Sequence, residues 1–541
     1  GLWNLVGSDY VTIDGIDLYD PNTTNPATME YGFALFKASV SDGCQFNTIK
    51  NCTVTLSRNN NAGGSGPSQD GSRAINVSNA LVTAQTTNVT VTAAGGSNSY
   101  NKFYTNLLQQ CNYGISFAGF AASSPFSLGD TGNDAGGASA LTGNTVLNYG
   151  GAAGASNPAA GIRATNQWGI NISYNTINSN DGGGANHPHT LRGIYAQSGT
   201  SANATISYNT ITVHSGATTS QLSAIENAIG STAASNTINI TNNTVTNCTY
   251  STATTGVFYG VYNSSTAAVV NLTNNVVSNI THSGTGWFYG IETGSPATVN
   301  LNDNTVTGIV RTGASGSTAA FKLISPANLS GSGNLADGFS YTNVSSTGNI
   351  YGLYSFSSAA NITLSNSIFR NFSTPTTGTL CGIREYGTAG AKVFENNQIY
   401  NFSTTTGGAG GATMYGIWSS TGDITSTGNT IYALNSTGTT GGTSGTVAGV
   451  YYSGGATNSC LKNKIYNLSS NSTNPLVCGI YMGGGTTNTI VNNYIGDLAA
   501  PAANAGLPLA GFQITGGTNA NVYYNTVNLN AASTGALFGS S

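Results

Sequence analysis

The chain has 541 residues, 14 basic and 18 acidic, and a net charge of −4; 6% of its residues are charged and 73 are glycine, against ~25% charged residues in ordinary soluble domains. It has no basic run, which excludes the usual electrostatic recognition of nucleic acid, and no segment approaches the ~18 apolar residues of a membrane-spanning helix. Low charge with much Gly, Ser, Thr and Asn also suits disorder, but the apolar residues here are periodic and often β-branched, which favours a fold.

In chain order, residues 11–18 (VTIDGIDL) already alternate as a strand. A G-[IVL]-x triplet then recurs, followed several residues later by a triplet that opens with asparagine. The third residue of the first triplet falls at Ala34, Asn76 and Ser116, in units of 40 to 47 residues. From Arg163 it continues at Tyr195, Glu226, Tyr262, Glu292, Lys322, Tyr354, Arg384, Trp418, Tyr451, Tyr481 and Gln513, with spacings of 30 to 36. The asparagine keeps step at Asn51, Asn106, Asn144, Asn175, Asn209, Asn243, Asn275, Asn304, Asn334, Asn366, Asn397, Asn429, Asn463, Asn493 and Asn525, with Asp14 as an earlier member. Two markers in step across the chain define a repeat protein, which overrides the length-based expectation of several globular domains.

Within a unit the runs are short and extended, as at 258–262 (FYGVY), 269–272 (VVNL) and 276–280 (VVSNI). Helical periodicity is nearly absent. The pattern predicts an all-β fold: a right-handed parallel β-helix of about 15 coils, continuous over 1–541 and, at the strand spacing of ~4.8 Å, a rod on the order of 70 Å long. Residues 1–160 form irregular coils with insertions at 57–71, 119–138 and 148–159, and 161–541 form regular coils after a further insertion at 178–189. Asparagine suits the sharp turn between strands because it tolerates the left-handed conformation. Stacked from coil to coil, its amides form a hydrogen-bonded ladder. The aliphatic residue two positions later (Val245, Val277, Val306, Ile368, Ile399, Ile431, Ile465, Ile495, Val527) is expected to fill the core.

The seven cysteines read as small buried residues. Cys381 and Cys478 share a repeat position three units apart, too far for a disulfide at ~4.8 Å per unit; Cys44 and Cys52 are a separate candidate pair. The chain starts at Gly1 without a signal peptide and ends in strand, with no capping helix at either end. These features lead us to expect a piece of a longer polypeptide, flanked by further segments.

The coils carrying G-I-Y, N-N-T-[IV] and I-Y-N-[LF]-S (from Ile399 and from Ile465), and above all the closing residues 521–541 (NVYYNTVNLNAASTGALFGSS), resemble the very large secreted right-handed β-helix repeat proteins exported by type IX secretion in Gram-negative gliding bacteria. The resemblance implies an extracellular, cell-surface protein. The sorting domain at the C-terminus of such proteins is missing from this sequence.

Neighbours in a strand alternate, so the column from Arg163 to Gln513 should face solvent. Five of its twelve members are charged. Aromatic rings and charges at Arg163, Tyr195, Tyr262, Lys322, Tyr354, Arg384, Trp418, Tyr451 and Tyr481 suit a carbohydrate-contacting stripe; a stripe stabilised only by neighbour pairing is the alternative. Parallel β-helices, pectate lyases among them, also carry polysaccharide lyases and hydrolases on one exposed face. Two coils separate Glu226 from Glu292, about 9.6 Å at the strand spacing, near the ~6.5–9.5 Å of inverting glycosidases.

Asp130, Asn133 and Asp134 cluster oxygen ligands of the kind Ca²⁺ takes, which makes Asp130 and Asp134 the candidate metal ligands; no other cofactor is implied. Asp181, His187 and His189 form a weaker transition-metal candidate. No Gly-Lys dipeptide exists, which excludes a Walker A loop. The expected function is an extracellular structural or adhesive rod that touches glycans, with polysaccharide cleavage as the competing reading.

Overall fold

Each repeat becomes one turn of a right-handed parallel β-helix, an all-β fold of about 15 turns. The computed structural model describes residues 1–20, 22, 31–58, 71–151, 158–356, 361–388, 390–404, 411–437 and 445–541. Most of the insertion at 57–71 and much of that at 148–159 lie outside the described residues. The chain divides into two units, Gly1–Val276 and Val277–Ser541, each built from three parallel sheets. No helix among the described residues is long and apolar enough to cross a membrane.

One turn of the first unit shows the plan. Leu191–Gln197 lies in the first sheet, Ala204–Ser207 in the second and Thr210–Thr212 in the third. The next turn pairs with it in register, Ile194 opposite Ile225, Ile206 opposite Ile240 and Ile211 opposite Val245. All six are fully buried. Stacked β-branched residues fill the interior because the pleat sends alternate side chains inward and every coil repeats the pattern.

Only two residues, Tyr208 and Asn209, connect the second and third strands of this turn. Tyr208 takes the left-handed conformation at φ 56°, as do Tyr174 (61°), Asn242 (57°) and Asn396 (53°) at the same place in other coils. The left-handed residue is therefore the one before the ladder asparagine. Asn209 makes the ladder: its Oδ1 accepts from the backbone N–H and Nδ2 of Asn175, both at 3.0 Å. Its Nδ2 donates to Asn243 Oδ1 and to the carbonyl of Ile172, both at 2.9 Å. The same links join Asn144 to Asn175, Asn243 to Asn275, Asn304 to Asn334, Asn397 to Asn429, Asn429 to Asn463, Asn463 to Asn493 and Asn493 to Asn525.

Two expected members are displaced by one residue. Asn366 is not in the ladder; it takes the left-handed turn at φ 49°. Ser367 replaces it, accepting from Asn334 N at 3.2 Å and donating its own N–H to Asn397 Oδ1 at 3.0 Å. The inward residue of that coil is consequently Phe369, fully buried, and not Ile368, which is half-buried. Asn51 likewise holds the turn at φ 53°, and Cys52 N–H donates to Asn106 Oδ1 at 3.1 Å. Val527, expected in the core, is 39% exposed.

In the second unit the third-sheet strands from Thr305–Arg311 to Lys464–Ser470 lengthen to seven residues. Each contains one more left-handed residue: Gly308, Gly338, Asn371, Asn401, Ala433 and Asn467 occupy the same position. That residue shifts the alternation by one, so Val306 and Ile309, three apart, are both fully buried. The glycine of the first triplet has a different reason. A Cβ on Gly416 would lie 2.5 Å from Gly449 O and 2.6 Å from Ile431 Cγ2, so the first sheet closes onto the aliphatic residue of the third only where no side chain intervenes.

All seven cysteines are buried and free, Cys44 and Cys52 included.

Candidate functional site

The column from Arg163 to Gln513 lies on the outer face of the first sheet but is less open than alternation alone predicts. Arg163 and Glu226 are 8% exposed, Glu292 and Arg384 2%, while Tyr195, Tyr262, Lys322, Tyr354, Trp418, Tyr451 and Tyr481 are half-buried. The expectation of a solvent-facing stripe fails for the four buried members because other side chains pack against them: Tyr113 against Arg163, Arg192 against Glu226, Lys322 against Glu292, and Tyr386 and Trp418 against Arg384. The residues immediately before the triplet glycine add a second set of side chains on this sheet. In register they run Tyr289, Ala319, Tyr351, Cys381, Tyr415, Ala448 and Cys478. Through Ala448 a ring alternates with a small residue. The signal was present in the sequence as tyrosine before glycine at 259, 289, 351 and 415.

In the first unit, Arg192 lies across the Tyr195 ring, its guanidinium carbon 3.9 Å from the centroid. It pairs with Glu226 through Nε at 2.6 Å and Nη2 at 3.3 Å, and Gln221 Nε2 donates to the same carboxylate at 2.8 Å. Arg163, His189, Arg192, Tyr195 and Gln197 line a cavity of about 430 Å³. Tyr262 stacks on Tyr259 at 4.6 Å.

In the second unit, Glu292 meets Lys322 of the next coil at 3.2 Å. Burial pushes the Glu292 carboxyl above its ordinary value, with Lys322 working against the shift. Lys322 Nζ also sits 4.1 Å from the centroid of the Tyr289 ring. Around this pair Trp287, Tyr289, Lys322, Ile324, Tyr354 and Phe356 line a cavity of about 240 Å³. Its rings do not all stack flat: Trp287 and Tyr354 lie 5.6 Å apart at 57°. Phe356 is 60% exposed.

Further along, rings are consumed by one another. The Arg384 guanidinium carbon lies 3.4 Å from the centroids of both Tyr386 and Trp418, and its Nη2 donates to Ser420 Oγ at 2.7 Å. Tyr451 and Tyr481 stack at 4.6 Å and 18°. Glu226 and Glu292 thus each have a cation of their own.

The Ca²⁺ candidates are committed elsewhere. Asp130 is fully buried 4.0 Å from Lys37 Nζ and accepts from Asn98 N at 2.9 Å. Asp134 accepts from Tyr104 Oη at 2.6 Å, Asn171 Nδ2 at 2.7 Å and Gly137 N at 2.9 Å. The two carboxylates serve different donors instead of sharing one centre. Asp181 caps its own turn by accepting from Gly183 N at 3.0 Å, and His187 Nδ1 accepts from Gly151 N at 3.0 Å. Among the described residues no three His, Cys, Asp or Glu side chains group as metal ligands.

No protein-family model matches the chain and no curated protein is similar to it in sequence, so the chemistry of this face rests on its geometry.

Proposed function

We propose that the chain is a non-catalytic scaffold segment of a cell-surface protein that works outside the cell and contacts glycans through the outer face of its first sheet. The observation that carries this reading is the cavity lined by Trp287, Tyr289, Tyr354 and Phe356, whose one ammonium, Lys322, is ion-paired with the buried Glu292. Tilted aromatic faces suit the apolar C–H face of a sugar ring. General acid–base cleavage needs two carboxyl groups across one bond, or a cation to polarise it, and here each column carboxylate is closed by a cation. Low charge and the resemblance of the closing residues to type IX-exported surface proteins support the location and the export route.

Glycan-array binding with assay of pectin, alginate and β-glucan for reducing ends and unsaturated products tests the reading. Binding should appear without turnover, and Trp287→Ala should weaken it. Turnover that disappears in Glu226→Gln or Glu292→Gln would sink the non-catalytic reading and install the polysaccharide-cleaving one.

A further inference from the structure

The third sheet of the second unit carries its own file of rings. Tyr400, Tyr432 and Tyr466 stand in register in successive coils, with centroids 4.7 and 5.1 Å apart and planes within 8° and 3° of parallel. One end of the file is closed by charge. Arg370 donates through Nη1 to Tyr400 Oη at 2.9 Å and through Nε and Nη2 to Asp337 Oδ2 at 2.9 and 2.8 Å. Rings stacked this flat use up each other's faces, so both faces of Tyr432 are covered.

The other end differs. The next coil places Gly496 opposite Tyr466, so no ring of that coil continues the file, and the far face of Tyr466 borders a cavity of about 550 Å³ lined by Thr430, Lys464, Tyr466, Tyr494 and Asp497. That volume lies within the ~300–1,000 Å³ of small-molecule sites. Tyr494 is 40% exposed, and its hydroxyl leans over Gly496, 2.8 Å from where a Cβ would stand. Lys464 and Asp497 are both exposed, and neither is in an ion pair among the described residues. Asp497 holds the left-handed position at φ 55°, filled by Asn, Gly or Ala in other coils; the turn does not require an acid there.

We propose that this cavity is a subsite for a neutral sugar of a glycan chain. The C–H face of a pyranose lies on Tyr466. The Lys464 ammonium and Tyr494 hydroxyl donate to its oxygens, and the Asp497 carboxylate accepts from its hydroxyls. The two charges cancel, which selects an uncharged sugar over a uronate. The site is on a different sheet from the face described above, and neither reading depends on the other.

Isothermal titration of the full chain with cellohexaose, laminarihexaose and mannohexaose, with oligogalacturonate as the acidic probe, tests the inference. At least one neutral hexasaccharide should bind, and Tyr466→Ala should weaken it about tenfold or more. Tyr466→Phe, which keeps the ring face, should retain most of the affinity. Gly496→Tyr, which extends the file into the cavity and pushes the Tyr494 ring aside, should abolish binding. Binding that survives both Tyr466→Ala and Gly496→Tyr but is lost in Trp287→Ala would place it on the first sheet and overturn this inference alone. Absence of neutral binding, or binding of oligogalacturonate only, also overturns it.

Discussion

At the scale of single residues, the two tasks expected of one asparagine are divided between neighbours. The turn needs a left-handed residue, and tyrosine, lysine, aspartate, glycine and asparagine all serve, as at Tyr208, Lys462, Asp303 and Gly428. The ladder needs a short side chain that accepts from one coil and donates to the next. Asn209→Ala strands the buried Asn175 amide and the Ile172 carbonyl, each of which costs about 1–3 kcal/mol when left unpaired. Asn209→Ser should recover part of the loss, because Ser367 already does this work in another coil. Urea midpoints of the two variants would check the order; equal losses would show that the amide network contributes nothing beyond packing. Glu292 gives a second prediction. Burial raises its carboxyl above 4.5, so the folded protein holds that proton more tightly than the unfolded chain. The associated stability is fully present below the unfolded value and is lost as pH rises through the folded one. Glu292→Gln removes the titration, so the stability of the variant relative to the parent should rise as the pH increases from below 4.5 through the raised folded value. Denaturant titrations across that range should show the rise; a flat or falling difference contradicts the assigned direction.

At the scale of the strand, packing decides which glycines and turns can change. Gly416→Ala drives a Cβ against the backbone carbonyl of Gly449 at 2.5 Å. Backbone cannot yield as a side-chain tip does, so overpacking should cost about 1–3 kcal/mol. Ala433, at φ 53° in the left-handed column, predicts the opposite sign: Ala433→Gly relieves a conformation that is unfavourable for a side chain and should stabilise by about 1 kcal/mol. Denaturation of the two single variants checks both signs. The period, the glycine and asparagine columns and most inward aliphatics were legible in the sequence, because each reflects a constraint that recurs in every coil. The slip at Asn366 was not, since Asn366 and Ser367 are both polar and only the backbone shows which one turns. The burial of Glu292 and Arg384 escaped for another reason. Strand alternation gives which side of a sheet a residue takes, but not what neighbouring side chains lay over it, as Tyr386 and Trp418 do over Arg384 and Lys322 does over Glu292. The cavity beside Tyr466 depends on where a file of rings stops, which becomes visible only once the coils are in register.

At the scale of the molecule, the inner strands of the second unit pair with the coil before and the coil after them, as Thr413–Ser419 does with Thr379–Glu385 and Thr446–Tyr452. Stability in such a stack is a sum of coil terms and nearest-neighbour terms, so a local defect opens its own coil first and fades with distance along the stack. Gly416→Ala supplies the defect. Amide exchange should quicken most in Thr413–Ser419, less in Thr379–Glu385 and Thr446–Tyr452, and least in Phe288–Thr293, several coils away in the same unit. The ladder works against this gradient, because Asn397, Asn429, Asn463 and Asn493 form one continuous chain of buried amides. If that chain couples the coils strongly, exchange will rise uniformly across the unit in place of a gradient. Native-state exchange resolved by strand separates the two cases: a gradient assigns the stability of the scaffold to pairwise stacking, and uniform exchange assigns it to the ladder acting as a single cooperative element.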